Sequence, residues 1–493
     1  MSNSMRKDYG VSFSSLGFLK KLQSYTNVIV ALFGSPYSLT YFNDATNIIV
    51  SYEDNDPSQT ITAQALFGGI KTHGQLPVTA SYIYPVNKGI ISFPPNRLKY
   101  TFPEYVSMSS GSLKKIDSIA LDAISDKATP GCQIFISRHG NAIYHKAFGY
   151  HTYDKKTEVK VENVYDLASI TKIASTTLAL MKLYDQKKIS LDSNIQTYLQ
   201  EFKGTNKGKL ILKDILIHES GLQGWIPFYL NAMEQGFDSL FNDKQNDTFS
   251  IKTAHKLYMN KEYQDTMWKM IIDSKVRSEP KYVYSDLGFY IFQKIIERIT
   301  GKSIDAYLKQ NFFDRMDLKN TCFNPLNSQN KNIIIPTEDD KVFRKQVVHG
   351  YVHDPGAAML GGVAGHAGLF SNAKELAIIG QMLLNGGEYG GEKFLKSATI
   401  EKFTSKQKNG SRRGLGFDKP SLRSENGPTS NFASFKTFGH TGFTGTCIWV
   451  DPKYDLVYVF LSNRVYPTAS HNKLAKNNIR TKIQDVIYES IQN

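Results

Sequence analysis

The chain has 493 residues and carries 59 Lys and Arg against 45 Asp and Glu, a formal charge of +14. Hydrophobic residues make up 41% and charged residues 21%, which excludes a disordered chain and leaves room for roughly two to four globular domains. No stripe of Lys and Arg interleaved with aromatics and no nucleic-acid motif is present, so an anionic surface or simple solubility accounts for the charge better than a nucleic-acid partner.

The first unit spans residues 1–105. Residues 27–33 (Asn-Val-Ile-Val-Ala-Leu-Phe) and 47–52 read as buried strands, the first closed by Gly34-Ser35-Pro36. Residues 59–67 read as a short helix ended by Gly68-Gly69, so this unit is a strand–helix α/β layer. Residues 28–33 follow two lysines but are too short for a signal core, and no apolar run reaches membrane-spanning length. Three stretches carry a resemblance: Ala31 to Tyr37, Ala63 to Gly69, and Gly74-Gln75-Leu76-Pro77-Val78. They resemble the closing part of the C-terminal sandwich of family-three glycoside hydrolases. In that family a preceding barrel carries the sugar site. The resemblance therefore implies a truncated remnant and no working glycosidase.

Residues 84–112, rich in Pro, Gly and Ser, read as a linker that includes Pro94-Pro95. The second unit is placed at 113–493. A helix is expected to about Lys127, then a hairpin of strands 132–137 and 142–148. The next helix opens at Ser169 and runs to about Gln186. Further helices are expected over 210–218, 286–300 and 374–385, with Ser303 capping another. Gly380 falls inside the 374–385 helix. A second hairpin, 446–450 with 456–462, precedes a last helix at 479–491. Hairpins at both ends and helices between them fit a central antiparallel sheet with a helical insertion, an α/β (α+β) fold.

The chemistry starts at Ser169-Ile170-Thr171-Lys172. Residues three apart share a helix face, so the hydroxyl and the amine can meet. A serine needs a neighbouring base before it attacks a carbonyl, and a partly desolvated lysine can serve. Downstream stand Tyr284-Ser285-Asp286, before a helix, and His440-Thr441-Gly442, before a strand. Leu216-Ile217-His218-Glu219-Ser220-Gly221-Leu222 and Ala367-Gly368-Leu369-Phe370-Ser371 lie between them in order.

This order resembles that of serine β-lactamases and penicillin-binding proteins, with the tyrosine element of the class C-like group and its carboxypeptidases and esterases. The resemblance implies a β-lactamase/transpeptidase-like fold and an acyl-enzyme. It makes Ser169 the nucleophile, Lys172 its proton acceptor or relay, and Tyr284 a general acid/base whose phenol Lys172 would acidify. Backbone N–H groups of Ser169 and Phe443 would form the oxyanion hole. Asp286, His440, Thr441 and Gly442 would meet the substrate. Two positions depart from the pattern. His440 replaces a lysine, so carboxylate recognition is weaker or pH-dependent. Asp286 replaces an asparagine, which would hold Lys172 protonated unless the carboxylate simply caps its helix.

The expected substrate is a small molecule or peptide: cell-wall peptides or β-lactams, with small esters as the alternative and a non-catalytic penicillin-binding module as the rival class. The oligomeric state is left open. No cofactor is implied. Cys132, Cys322 and Cys447 fit neither a zinc spacing nor a disulfide framework. His349 and His353, four apart, lie among helix breakers, so no metal site is read there, although His353 and Asp354 could line the cleft. The Gly361–Gly368 run lacks the phosphate-loop Lys-Ser/Thr and reads as backbone that approaches the site closely. The resemblance points to a periplasmic or other extracytoplasmic location, while the chain itself shows no signal sequence.

Overall fold

A computed structural model describes residues 5–92, 96–279, 281–408, 411–421 and 427–492. The chain divides into two compact units, Met1–Arg97 and Leu98–Asn493. In the first, β1 (Ile29–Phe33) and β2 (Asn47–Ser51) pair in parallel, Ile29 opposite Asn47 and Phe33 opposite Ser51. α1 (Asp56–Leu66) follows, and the Asn55 side chain caps it by accepting the Ser58 N–H at 2.9 Å. Leu32, Leu39, Phe42, Leu76 and Tyr84 form its core, and the Tyr84 hydroxyl donates to the Phe42 carbonyl. The division at Arg97/Leu98 thus falls inside the stretch read as linker, whose first residue is packed in the first unit. Pro94-Pro95 lie outside the described residues.

The second unit is built on a six-stranded sheet. Its strands are β3 (Lys99–Tyr100), β4 (Gly131–Arg138), β5 (Asn141–Gly149), β6 (Phe438–Thr441), β7 (Cys447–Asp451) and β8 (Leu456–Ser462). The order is β6-β7-β8-β4-β5-β3, antiparallel throughout except the β5–β3 edge. Registering Leu456 opposite Arg138 and Ser462 opposite Cys132 joins the last hairpin to the first. The helices used below are α2 (Lys115–Ser125), α3 (Leu178–Asp185), α4 (Leu287–Thr300), α5 (Ala373–Leu384) and α6 (Ile479–Glu489).

Alternation along the strands splits the core in two. Ile134, Ile136, Trp449, Tyr458 and Phe460 face α2 and α6, while Phe135, Ile448, Val450, Val457 and Val459 face α5 and the helical region. Each fully buried aliphatic or aromatic side chain here contributes on the order of 1.5–3 kcal/mol. Gly380 lets α5 lie close on the sheet: a Cβ there would come within 3.0 Å of Val457 Cγ1 and 3.1 Å of Ile448 Cδ1. At the far side, the Ser109 N–H donates to the Ser490 carbonyl at 2.8 Å and the Gln492 N–H to the Ser107 carbonyl at 2.9 Å. The unit's beginning and end are therefore stitched together.

Two local expectations need correction. The single helix expected from Ser169 is a 3-10 turn (Ala168–Ile170), then a π-helix (Lys172–Thr177), then α3. Every residue of the π segment is buried, and the Thr176 hydroxyl bonds outward to the Gly365 carbonyl, so packing sets the widened turn. Ser303 does stand at a helix N-cap, but its side chain makes no capping bond. No helix among the described residues is long and apolar enough to cross a membrane.

Candidate active site

The 3-10 turn and the π segment present Ser169 and Lys172 to each other. Lys172 Nζ donates to Ser169 Oγ at 3.0 Å and to the His366 carbonyl at 3.1 Å. The Gly-rich stretch supplies that carbonyl, so close backbone approach is what it contributes. Asp286 stands at the N-cap of α4, yet its side chain makes no cap bond. Instead its Oδ1 lies 2.7 Å from Lys172 Nζ. The capping explanation for Asp286 therefore falls away. Burial, the largest single effect, would pull the fully buried Lys172 amine down, but Asp286 and Tyr284 beside it together outweigh burial and raise its pKa. Lys172 is a cation at neutral pH.

Tyr284 lies against this pair, with its ring centroid 5.0 Å from Lys172 Nζ. Burial raises its pKa, and the Asp286 charge adds to the rise while Lys172 opposes it. The acidified phenol expected from Lys172 is thus not formed, because burial, helped by Asp286, outweighs the lysine's field. The phenol is neutral, and the polar side chains that act on its oxygen are those of Lys172 and Ser169. His218 accepts the Ser285 N–H on Nδ1 at 3.0 Å, and its ring lies 4.7 Å from that of Tyr284. His440, from β6, donates Nδ1–H to the Thr441 carbonyl at 2.6 Å. That tautomer leaves Nε2 as a buried acceptor without a partner among the described residues. Burial first, then the nearby Arg413, push both histidines well below the ordinary imidazole value. A pH-dependent charge on His440 near neutrality is therefore not available.

Gly442 brings the end of β6 onto the Ser169 turn. A Cβ there would sit 2.1 Å from Thr446 Oγ1 and 2.5 Å from the Leu167 carbonyl, so only glycine fits. Phe443 follows with an exposed ring. Thr444 and Thr446 hydroxyls donate to the Asp166 and Leu167 carbonyls at 2.8 and 3.1 Å, which pins this loop to the turn. Ala168, immediately before Ser169, holds a left-handed φ of 48°. Such a backbone costs on the order of 1–3 kcal/mol and persists only when held. The Asp166 carboxylate holds it by accepting the Ala168 N–H at 2.8 Å, and its other oxygen accepts the His353 N–H at 2.6 Å. Arg464, just beyond β8, donates Nε–H to the Phe443 carbonyl at 2.8 Å.

Asp166 and Arg464 escape sequence reasoning. Asp166 opens the Ser169 stretch but carries no motif of its own, and Arg464 follows a strand like any polar residue. His349, His353, Asp354 and His366 are otherwise engaged. His349 contacts the Ile334 carbonyl, His353 pairs with Glu338 at 2.8 Å, and His366 pairs with Asp354 at 2.8 Å. Among the described residues no three His, Cys, Asp or Glu side chains cluster as a metal site.

A serine and a buried lysine on one turn, beneath the edge strand of an antiparallel sheet flanked by helices, define an acyl-transferring serine hydrolase. The chain belongs to the beta-lactamase family, whose model matches residues 116–481. A protein of Salmonella agona named "Putative D-alanyl-D-alanine carboxypeptidase" is 31% identical over 400 residues, covering 76% of this chain and 88% of that protein. Two solved structures share the fold. A penicillin-binding protein homologue from Caulobacter crescentus has a TM-score of 0.57 at 16% identity, over 78% of this chain and 98% of its own. EstCE1, described as a hydrolase with promiscuous acyltransferase activity, has a TM-score of 0.57 at 19% identity, over 77% of this chain and 99% of its own.

Proposed function

We propose that the protein hydrolyses an ester or amide bond of a small-molecule or peptide substrate through an acyl-enzyme on Ser169. The observation that carries this reading is the row Ser169 Oγ, Lys172 Nζ, Asp286 Oδ1, spaced 3.0 and 2.7 Å. Ser169 Oγ attacks the carbonyl carbon, and the N–H groups of Ser169 and Phe443 hold the oxyanion. One such donor is typically worth about 3–4 kcal/mol. Lys172, kept protonated by Asp286, steadies negative charge on Oγ and does not remove its proton. That proton passes to the Tyr284 phenol oxygen while Tyr284 gives its own hydroxyl proton to the leaving oxygen or nitrogen. The phenol is neutral before and after, which suits its raised pKa. In deacylation, water yields its proton to Tyr284 as Tyr284 protonates the departing Ser169 Oγ.

The name carried by the Salmonella relatives supports cell-wall peptides as one substrate class and an extracytoplasmic location. The neutral His440 favours the second reading, small esters. In the first unit, the parallel β1–β2 pair followed by α1 supports the remnant of a glycoside-hydrolase sandwich.

Hydrolysis of p-nitrophenyl acetate and of a chromogenic cephalosporin, by wild type and Ser169→Ala, tests the reading. Ester turnover that falls roughly a thousandfold or more in the variant, with little cephalosporin turnover, is expected. Fast cephalosporin turnover would make the protein a working β-lactamase. Absence of Ser169-dependent turnover of either, with a trapped penicillin adduct, would indicate a non-catalytic module.

A further inference from the structure

We infer that this site takes uncharged substrates with an aromatic or bulky apolar group, and disfavours those with a free carboxylate beside the scissile bond. The inference rests on Ser169 being the nucleophile, and it follows from two sets of contacts at the same place. The first is the fate of the cations around the site among the described residues. Lys172 is fully buried and paired with Asp286. Arg412 and the buried Arg413, both acting on His440, pair with Asp418 at 2.9 and 3.3 Å. Arg464 spends its guanidinium on the Phe443, Ala469 and His471 carbonyls. His440 is held neutral. The charge that remains partly open to the cleft is negative, the Asp286 side chain at 25% exposure. A substrate carboxylate would lose its water there and meet a like charge.

The second set is aromatic. Phe443 follows the oxyanion glycine and is 53% exposed. The Arg464 guanidinium lies 4.4 Å from its ring centroid, and the His353 ring lies 5.7 Å away, tilted. These fix the ring and leave its outer side to solvent. On the segment that meets Asp286, Trp225 is 58% exposed. It follows Gly224, whose carbonyl accepts the Asp286 N–H at 2.8 Å. One exposed aromatic is ordinary on a surface; two on the two elements that carry the oxyanion loop and Asp286 form a seat for an apolar group next to the reacting carbonyl. The cation against the Phe443 ring keeps that ring in place without offering a free charge to the substrate.

The test uses the phenylacetyl esters of 3-hydroxybenzamide and 3-hydroxybenzoate, which differ only in the charge on the leaving group. The benzamide ester is expected to show at least a tenfold higher kcat/KM. The preference for phenylacetyl over acetyl esters of 3-hydroxybenzamide should fall at least tenfold in Phe443→Ala and persist in Phe443→Tyr, with Trp225→Ala as a second, independent variant. Equal or faster turnover of the benzoate ester, or an unchanged phenylacetyl preference in both alanine variants, would overturn the inference while leaving the Ser169 reading intact. Turnover of both esters that survives Ser169→Ala would instead overturn the reading on which it rests.

Discussion

Replacing Asp286 by Asn would remove the carboxylate 2.7 Å from Lys172 Nζ. Lys172 would then keep the burial that lowers its pKa and lose the charge that raises it. The amine would lose its proton, and with it the charge that steadies Ser169 Oγ, at lower pH. In Asp286→Asn the fall of kcat/KM at high pH on p-nitrophenyl acetate should therefore begin at lower pH than in wild type. A profile identical to wild type would show that Asp286 does not govern Lys172. Gly442 makes a second case. An alanine there must displace either Thr446 or the Leu167 carbonyl, and with them the Phe443 N–H. A shift of that kind is typically worth about 100-fold, so Gly442→Ala should lose about that in kcat while the folded protein persists in circular dichroism.

The elements show where sequence pattern ends and packing takes over. The hairpins β4–β5 and β7–β8 announce themselves by alternation broken at turn residues, and α4 by apolar residues at Leu287, Ile291 and Ile295. β3 does not, since Lys99 and Tyr100 pair with Asn141 and Ala142 from within a Pro- and Gly-rich stretch. The π-helix is equally silent, because its turn answers to carbonyls nearly two hundred residues away in sequence, as with Thr176 and Gly365. The site divides the same way. Ser169 and Lys172 are legible because their spacing is local, and Tyr284 because Tyr284-Ser285-Asp286 resembles the family's tyrosine element. The charge states of Tyr284 and His440 are not, because burial and the field of Arg413 exist only once the chain is folded. Gly380 is a glycine that sequence marks as a weakness and the fold requires. In Gly380→Ala the gain in helix propensity, up to about 1 kcal/mol, should be outweighed by overpacking of about 1–3 kcal/mol against Val457 and Ile448. A lowered urea midpoint would register it, and a raised one would refute the packing argument.

For the molecule as a whole, Lys207 and Lys419 set a pH dependence of stability. Both are buried, bonded to backbone carbonyls, and pushed down to about 8 by burial. Each starts from an ordinary value of 10.5. Between those limits the unfolded chain binds more protons than the folded one, so stability rises with pH. Below about pH 8 the penalty for burying the charge is fully present, and it is relieved as pH climbs toward 10. The slope is at most about 1.4 kcal/mol per pH unit for each lysine. Urea unfolding from pH 7.5 to 9.5 should show this rise in wild type and a smaller one in Lys207→Met. An equal slope in both would remove Lys207 from the account.

The stitch between Ser109 and Ser490, and between Ser107 and Gln492, has a meaning beyond holding α2 against α6. A chain whose two ends meet behaves as a ring that happens to have been cut at one place. Such a ring tolerates being joined there and reopened in an exposed loop far from Ser169, and it can be spliced onto another module without moving a residue of its interior. The hydrolase unit is portable in this sense.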